Sequence, residues 1–228
     1  MASPLPFVGF DPKAPVGFLR GGNLPHWRQD GVTYFLTWRT IDSMPNELVD
    51  AWYAEREEWL KKHPEPWDTK TEEEYYQLFP DRWEKWLDEC HGECVLARPE
   101  LRKIVEDVLC FGDVAATSSS RQGGGDASVA EMLGKGDESS LPPSATGAAQ
   151  LPKYRLKDFV VMPNHVHVLV TPLGEHTLSE IVQEWKSISS HRINKALGRK
   201  GEFWQKEYFD HIVRSAEQLE KFRRYIQR

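Results

Sequence analysis

The sequence predicts an α+β fold, an antiparallel sheet with helices packed on it, and three observations carry that expectation. Period-two stretches rich in β-branched and aromatic residues occur at 31–39, 154–162 and 165–171. Stretches with apolar residues at helical spacing lie between and after them. The resulting order is strand, helices, strand, strand, helix, strand, helix, which suits one sheet covered by helices.

Residues 1–30 are rich in Pro and Gly and are expected to run as an extended arm, with one domain over 31–228. Gly31 to Arg39 reads as the first strand. Ser43-Met-Pro-Asn46 supplies a turn and a helix start, and Leu48, Trp52, Trp59 and Leu60 mark a helix from Glu47 to Lys62 that Pro64 and Pro66 end. A second, acidic and aromatic helical region spans about 71–89, and a third runs from Pro99 to Phe111 with Pro in its first turn. Between these two, Cys90-His-Gly-Glu-Cys94 resembles half of a zinc site. No second Cys/His pair at suitable spacing completes it, so packing is the expected role.

Residues 113–152 differ in kind. Ser118-Ser-Ser, Gly123-Gly-Gly, Gly134-Lys-Gly and Pro142-Pro punctuate a stretch poor in large apolar residues, the composition of a disordered insert. Its removal would leave a short helix-to-strand connection, so excision should spare the fold. Beyond it, Tyr154 to Met162 alternates like a strand, Pro163-Asn164 turns the chain, and His165-Val-His167-Val-Leu-Val-Thr171 begins the next strand. Thr177-Leu-Ser-Glu180 has capping-box spacing and opens a helix that Gly198 closes near Leu197. Glu202 to Arg214 reads as a strand, and Ser215-Ala-Glu-Gln218 opens a last helix with Leu219, Phe222, Tyr225 and Ile226 on one side.

Hydrophobic content of 39% and charged content of 28% are those of a soluble globular protein. No segment approaches the roughly 20 apolar residues that span a bilayer. Three cysteines do not suggest a disulfide framework, which places the protein in a reducing cytoplasm. The net charge of −6 divides unevenly: residues 151–228 hold 14 Lys+Arg against 9 Asp+Glu, net +5, and residues 1–150 carry net −11. A basic segment inside an acidic protein is compatible with a localised phosphate-binding face, although such asymmetry is more often plain solvated surface.

In a strand, His165 and His167 share one face and Val166 and Val168 point to the other, so the pair is a platform for a divalent cation or, equally, two satisfied core histidines. A histidine-triad hydrolase would need a third histidine at position 169, which is Leu. A metallo-β-lactamase-like site would need Asp and His nearby, and Val168 to Thr171 has neither. A His pair holding one metal remains, with a nucleophile from elsewhere.

The string Val161-Met-Pro-Asn-His-Val-His-Val-Leu169 resembles the HUH motif (His, hydrophobic, His) of single-tyrosine transposases, in particular the REP-associated tyrosine transposases. Trp185-Lys-Ser, Ile193-Asn-Lys, Gly201-Glu-Phe-Trp-Gln205, Tyr208 to Arg214 and Phe222-Arg-Arg-Tyr-Ile226 follow in the order of that family, and Val32 to Arg39 looks like its first strand. The resemblance covers about 30–111 and 153–228.

It implies a ferredoxin-like HUH nuclease fold, metal-dependent cleavage and rejoining of single-stranded DNA at hairpin-associated sites, and a 5′-phosphotyrosine intermediate. Residue by residue, Tyr225 matches the nucleophile, and His165 and His167 match the ligands of Mg²⁺ or Mn²⁺. A phenol with a pKa of about 10 is neutral at pH 7, so it needs such help.

Arg214, Arg223, Arg224, Lys186 and Arg192 are the expected DNA contacts, single-stranded or hairpin DNA the expected partner, and a monomer or homodimer the expected state. Tyr208 is the rival nucleophile, with packing as its more ordinary role. The family's third metal ligand lies one helical turn past the tyrosine, so here it is expected beyond Arg228. The alternative reading is a catalytically impaired hairpin-binding protein of the same fold.

Overall fold

A computed structural model describes residues 7–20, 25–64, 66–111 and 152–227. In chain order the elements are β1 (Gly17–Arg20), β2 (Pro25–Arg28), β3 (Tyr34–Arg39), α1 (Asn46–Lys62), α2 (Thr69–Leu78), α3 (Pro80–Asp88), a 3₁₀ turn (Val95–Ala97), α4 (Pro99–Phe111), β4 (Tyr154–Val161), β5 (His165–Pro172), α5 (Leu178–Leu197), β6 (Phe209–Ile212) and α6 (Ala216–Ile226). The fold is α+β: an antiparallel four-stranded sheet of order β4-β5-β3-β6 with helices on both faces. Of the expected insert, residues 113–151 lie outside the described residues. No helix among the described residues is long and apolar enough to cross a membrane.

The two central strands, β3 and β5, are buried along their whole length. Their alternation therefore sorts two different interiors. On one face Leu36, Trp38, Val166, Val168 and Val170 meet α4 and α5 through Leu101, Val105, Ile181, Val182 and Trp185, all buried. Trp38 stacks on Trp185 with ring centroids 5.8 Å apart. On the other face Phe35 and Leu169 pack against Leu219, Phe222 and Ile226 of α6. Beside them α1, α2 and α3 close an aromatic cluster of Trp52, Phe79 and Trp83, which Phe209 of β6 joins.

The caps of α5 are those its sequence signals. Thr177 accepts from the Glu180 N–H, Glu180 accepts from the Thr177 N–H, and Gly198 ends the helix at φ 65°. Thr177→Ala should cost about 1 kcal/mol in urea denaturation. Metal binding should be unchanged by it, because α5 covers the sheet face away from the histidines.

Three expectations are corrected. The helical region at 71–89 is two helices, broken at Phe79 (φ −116°, ψ −70°), with Pro80 opening α3. Proline lacks the N–H that a continuous helix needs and suits a first helical position. The strand expected over 202–214 is regular only at Phe209–Ile212, with one isolated bridge from Trp204 to Thr40 upstream. The arm at 1–30 is not simply extended: β1 and β2 pair antiparallel, Gly17 opposite Arg28. Arg28 then ties this hairpin to the sheet through Asp210 (2.5 Å), Tyr208 (2.8 Å) and Ser179 (3.0 Å).

Candidate metal and nucleophile site

The sheet builds the site from two neighbouring strands. His165 pairs across with Arg39, Val166 with Trp38 and His167 with Thr37, so both imidazoles emerge on the α3/α6 face while Val166 sinks into the opposite core. The imidazoles converge, with Nε2 to Nε2 2.9 Å. Both residues are buried. Helix α3 adds Glu84, whose Oε2 lies 3.4 Å from His167 Nε2. One ligand atom from each of Glu84, His165 and His167 lies within 4.8 Å of the others, a set that can coordinate a metal ion.

Proton accounting supports the fit. Asn164 Nδ2 donates to the His91 carbonyl (3.2 Å), so Asn164 Oδ1 accepts from His165 Nδ1–H (2.8 Å). Thr37 Oγ1 donates to Glu84 Oε1 (3.1 Å) and lies 2.8 Å from His167 Nδ1. Having one proton to give, Thr37 accepts from His167 Nδ1–H. Assigned this way, both Nε2 atoms carry bare lone pairs that meet beside a carboxylate oxygen. Three converging acceptors are satisfied by a cation, and Asn164 and Thr37 play the orienting role that the outer partners of metal-bound histidines have.

Burial pushes the Glu84 carboxyl up to about 7, against the opposing hydrogen bonds from Thr37 and Tyr225. Burial holds His165 down to about 4, and it drives His167 well below its usual range, with the neighbouring His165 adding to the effect. The linkage signs oppose. For a histidine whose folded pKa is depressed, the unfolded chain takes up the proton first, so stability is lost as pH falls from 6.5 through 4. For Glu84, raised from 4.5 to about 7, stability is lost as pH rises across that interval. In metal-free protein, Glu84→Gln should therefore unmask a steeper loss of stability on acidification, read by denaturant midpoints between pH 7 and 4.

Tyr225, on α6, completes the constellation. Its hydroxyl donates to Glu84 Oε2 at 3.2 Å, and its ring meets the His167 ring edge-on at 5.0 Å. The α6 amphipathic face holds it there, with Ile226 buried and Phe222 stacked on Phe35 at 4.2 Å. Tyr208 lies elsewhere: its ring packs toward the α4/α5 core and its hydroxyl bonds Arg28 and Ser179.

Residues 132–228 match the family description "Transposase IS200 like". The matched span includes His165, His167 and Tyr225, whereas Glu84 lies outside it. The small antiparallel sheet flanked by helices is consistent with a HUH-like fold.

Among similar solved structures is a REP-associated tyrosine transposase bound to a REP hairpin, 14% identical with a TM-score of 0.36, over 87% of this chain and 66% of that one. The present chain thus spans just under two thirds of that protein. Another is a transposase-like protein from Deinococcus radiodurans R1, 15% identical with a TM-score of 0.32, over 86% and 88% of the two chains. No curated protein sequence matches.

The basic residues do not gather in one place. Lys186 and Arg192 sit on α5, across the sheet from the histidines. The Lys186 ammonium is half-buried, bound to the carbonyls of Gln205 (2.5 Å) and Lys206 (2.8 Å), and burial lowers its pKa to about 8. It ties a loop to the helix. Arg192 is exposed. Arg223 pairs with Asp158 (2.9 Å) and Glu220 (3.0 Å). Arg214 and Arg224 are exposed at the two ends of α6.

The third ligand, expected beyond Arg228, has a counterpart within the described residues in Glu84. The sequence signal for it was faint: an acid pair one helical turn apart, Glu84 and Asp88, on a helix whose Trp83 and Leu87 are buried. Asp88 reaches to 3.9 Å from His165 Nε2.

Proposed function

We propose that the chain is a metal-dependent, single-strand DNA endonuclease and strand transferase that works through a 5′-phosphotyrosine on Tyr225. The observation that carries this reading is the meeting of a phenol hydroxyl with the Glu84–His165–His167 cluster at 3.2 Å. His165 Nε2, His167 Nε2 and Glu84 would hold Mg²⁺ or Mn²⁺, and two imidazole donors make Mn²⁺ the better match of the two. The bound ion would supply Lewis-acid polarisation of the scissile phosphate.

The protein groups do the rest. Phe35, His167 and Phe222 fix the Tyr225 ring, which limits the hydroxyl to one approach and lowers the entropic part of the barrier. The phenolic oxygen attacks phosphorus, the phosphorus–O3′ bond breaks, and the 3′-oxygen leaves as a hydroxyl after taking up a proton. The hydrogen bond to Glu84 Oε2 holds the phenol beside the ligands that would bind the ion, the nucleophile's proton passes to solvent water, and water supplies the proton that the 3′-oxygen takes up. The new phosphodiester conserves the energy of the old one, so a 3′-hydroxyl can reverse the reaction and join strands without ATP.

The test is nicking of a hairpin-flanked single-stranded DNA with Mn²⁺, with Mg²⁺ and with EDTA. Metal-dependent cleavage that leaves a free 3′-hydroxyl is expected, and none with either ion would defeat the reading. DNA binding should weaken steeply as salt rises, because Lys and Arg displace condensed cations from phosphate. Salt-independent binding, or equal affinity for any duplex, would count against it.

A further inference from the structure

Next to the metal cluster, sharing Thr37 with it, lies a second site that the chemistry above does not use. It is an open pocket of about 240 Å³ whose lining includes Arg39, Asp50, Tyr53, Trp83, Glu207 and Phe209. Thr37 belongs to both sites: it lines the pocket and bonds Glu84 and His167. Arg39 is opposite His165 in the sheet and only 7% exposed.

Arg39 is under-used. Among the described residues its guanidinium makes one hydrogen bond, to Ser43 Oγ (3.0 Å), and no carboxylate comes within ion-pair distance. A guanidinium offers five donors, and burying it without a counter-ion is costly. Burial lowers its pKa to about 10. Its guanidinium lies 5.2 Å from the Trp83 ring, whose own indole N–H, also buried, has no acceptor among the described residues. Asp50 and Glu207 bring acceptors to the lining of the same pocket.

The combination is selective. A phosphate would answer Arg39 but be repelled by Asp50 and Glu207. A planar heterocycle with acceptors on one edge and donors on another satisfies both, with aromatic walls to receive its faces. Guanine has that pattern: O6 and N7 suit a bidentate arginine, and its N1–H and N2 amino group suit carboxylates. We propose that this pocket takes one unstacked guanine of the single-stranded DNA beside the metal cluster, and so sets sequence preference next to the cleaved bond. The inference rests on the proposed single-strand DNA reading.

The test measures binding by fluorescence anisotropy in EDTA, which removes the metal from the comparison. Probes are a thymine homo-oligonucleotide and the same strand carrying one guanine, adenine, hypoxanthine or 7-deazaguanine. One guanine should tighten binding about tenfold, the size of a good bidentate contact. Adenine should add nothing. Hypoxanthine, lacking the N2 amine, and 7-deazaguanine, lacking N7, should each lose part of the gain. In Asp50→Asn/Glu207→Gln, whose side chains sit at the surface or half-buried, guanine and hypoxanthine should become equal. Arg39→Met should erase the guanine preference, and the surface variant keeps the test decisive should that buried change unfold the protein. Equal binding of guanine and adenine strands, or a guanine–hypoxanthine difference that survives the double substitution, overturns the pocket assignment alone. No binding to any strand overturns the single-strand DNA reading and the pocket with it.

Discussion

Tyr225→Phe is expected to eliminate the covalent protein–DNA adduct completely while leaving the protein folded and able to bind DNA. The substitution removes one oxygen. The ring keeps its edge contacts with Phe35 (6.4 Å) and His167 (5.0 Å), and the hydroxyl's bond to Glu84 is lost. Losing a hydrogen bond of that kind costs about 1 kcal/mol of stability. Denaturing gels of reactions with 5′-labelled and 3′-labelled strands read the adduct directly, and peptide mapping reads its position. An adduct that persists in Tyr225→Phe, or that maps to Tyr208, would mean a different nucleophile.

His165→Ala and His167→Ala should abolish the same adduct by another route, the loss of metal binding. Calorimetric titration with Mn²⁺ separates the routes: Tyr225→Phe should bind the ion as wild type does, and the histidine variants should not bind it measurably. The outer residues should grade the effect. Asn164→Ala and Thr37→Val each remove the partner that orients one imidazole, and each should lower metal affinity about 10- to 100-fold. Wild-type Mn²⁺ affinity in either histidine variant would refute the assigned ligand set.

How far the sequence exposes this site depends on the range of the interactions that build it. The shared face of His165 and His167 follows from a local rule, the period of two within one strand, and Val166 in the opposite core follows from the same rule. The α5 caps are likewise local, carried by Thr177, Glu180 and Gly198. Glu84 was illegible because its place depends on how α3 docks against the sheet, and that docking depends on the break at Phe79–Pro80 which helical periodicity at 71–89 conceals. A straight helix through Pro80 would have aimed the acid elsewhere. Lys186 misled for a related reason: its position on α5 suggests an exposed cation, but the returning loop at Gln205–Lys206 covers it. The five basic residues look like one phosphate-binding set in sequence because nothing local reveals that the sheet divides them between its two sides. In the sequence Arg39 is simply the end of a strand. Its isolation from carboxylates exists only once α1, α3 and β6 surround it.

The two-sided burial of β5 also determines which genetic changes this domain can tolerate. A substitution in that strand alters one side chain, but insertion or deletion of a single codon within it would exchange the two faces wholesale. Val166 and Val168 would replace the imidazoles beside Glu84, and two histidines would be driven into a hydrocarbon interior beside Trp38 and Trp185. The candidate metal cluster and the main core would fail in the same event, because one short strand supplies both. Length variation among natural variants should therefore be absent between His165 and Val170, with indels confined to the connections outside the sheet.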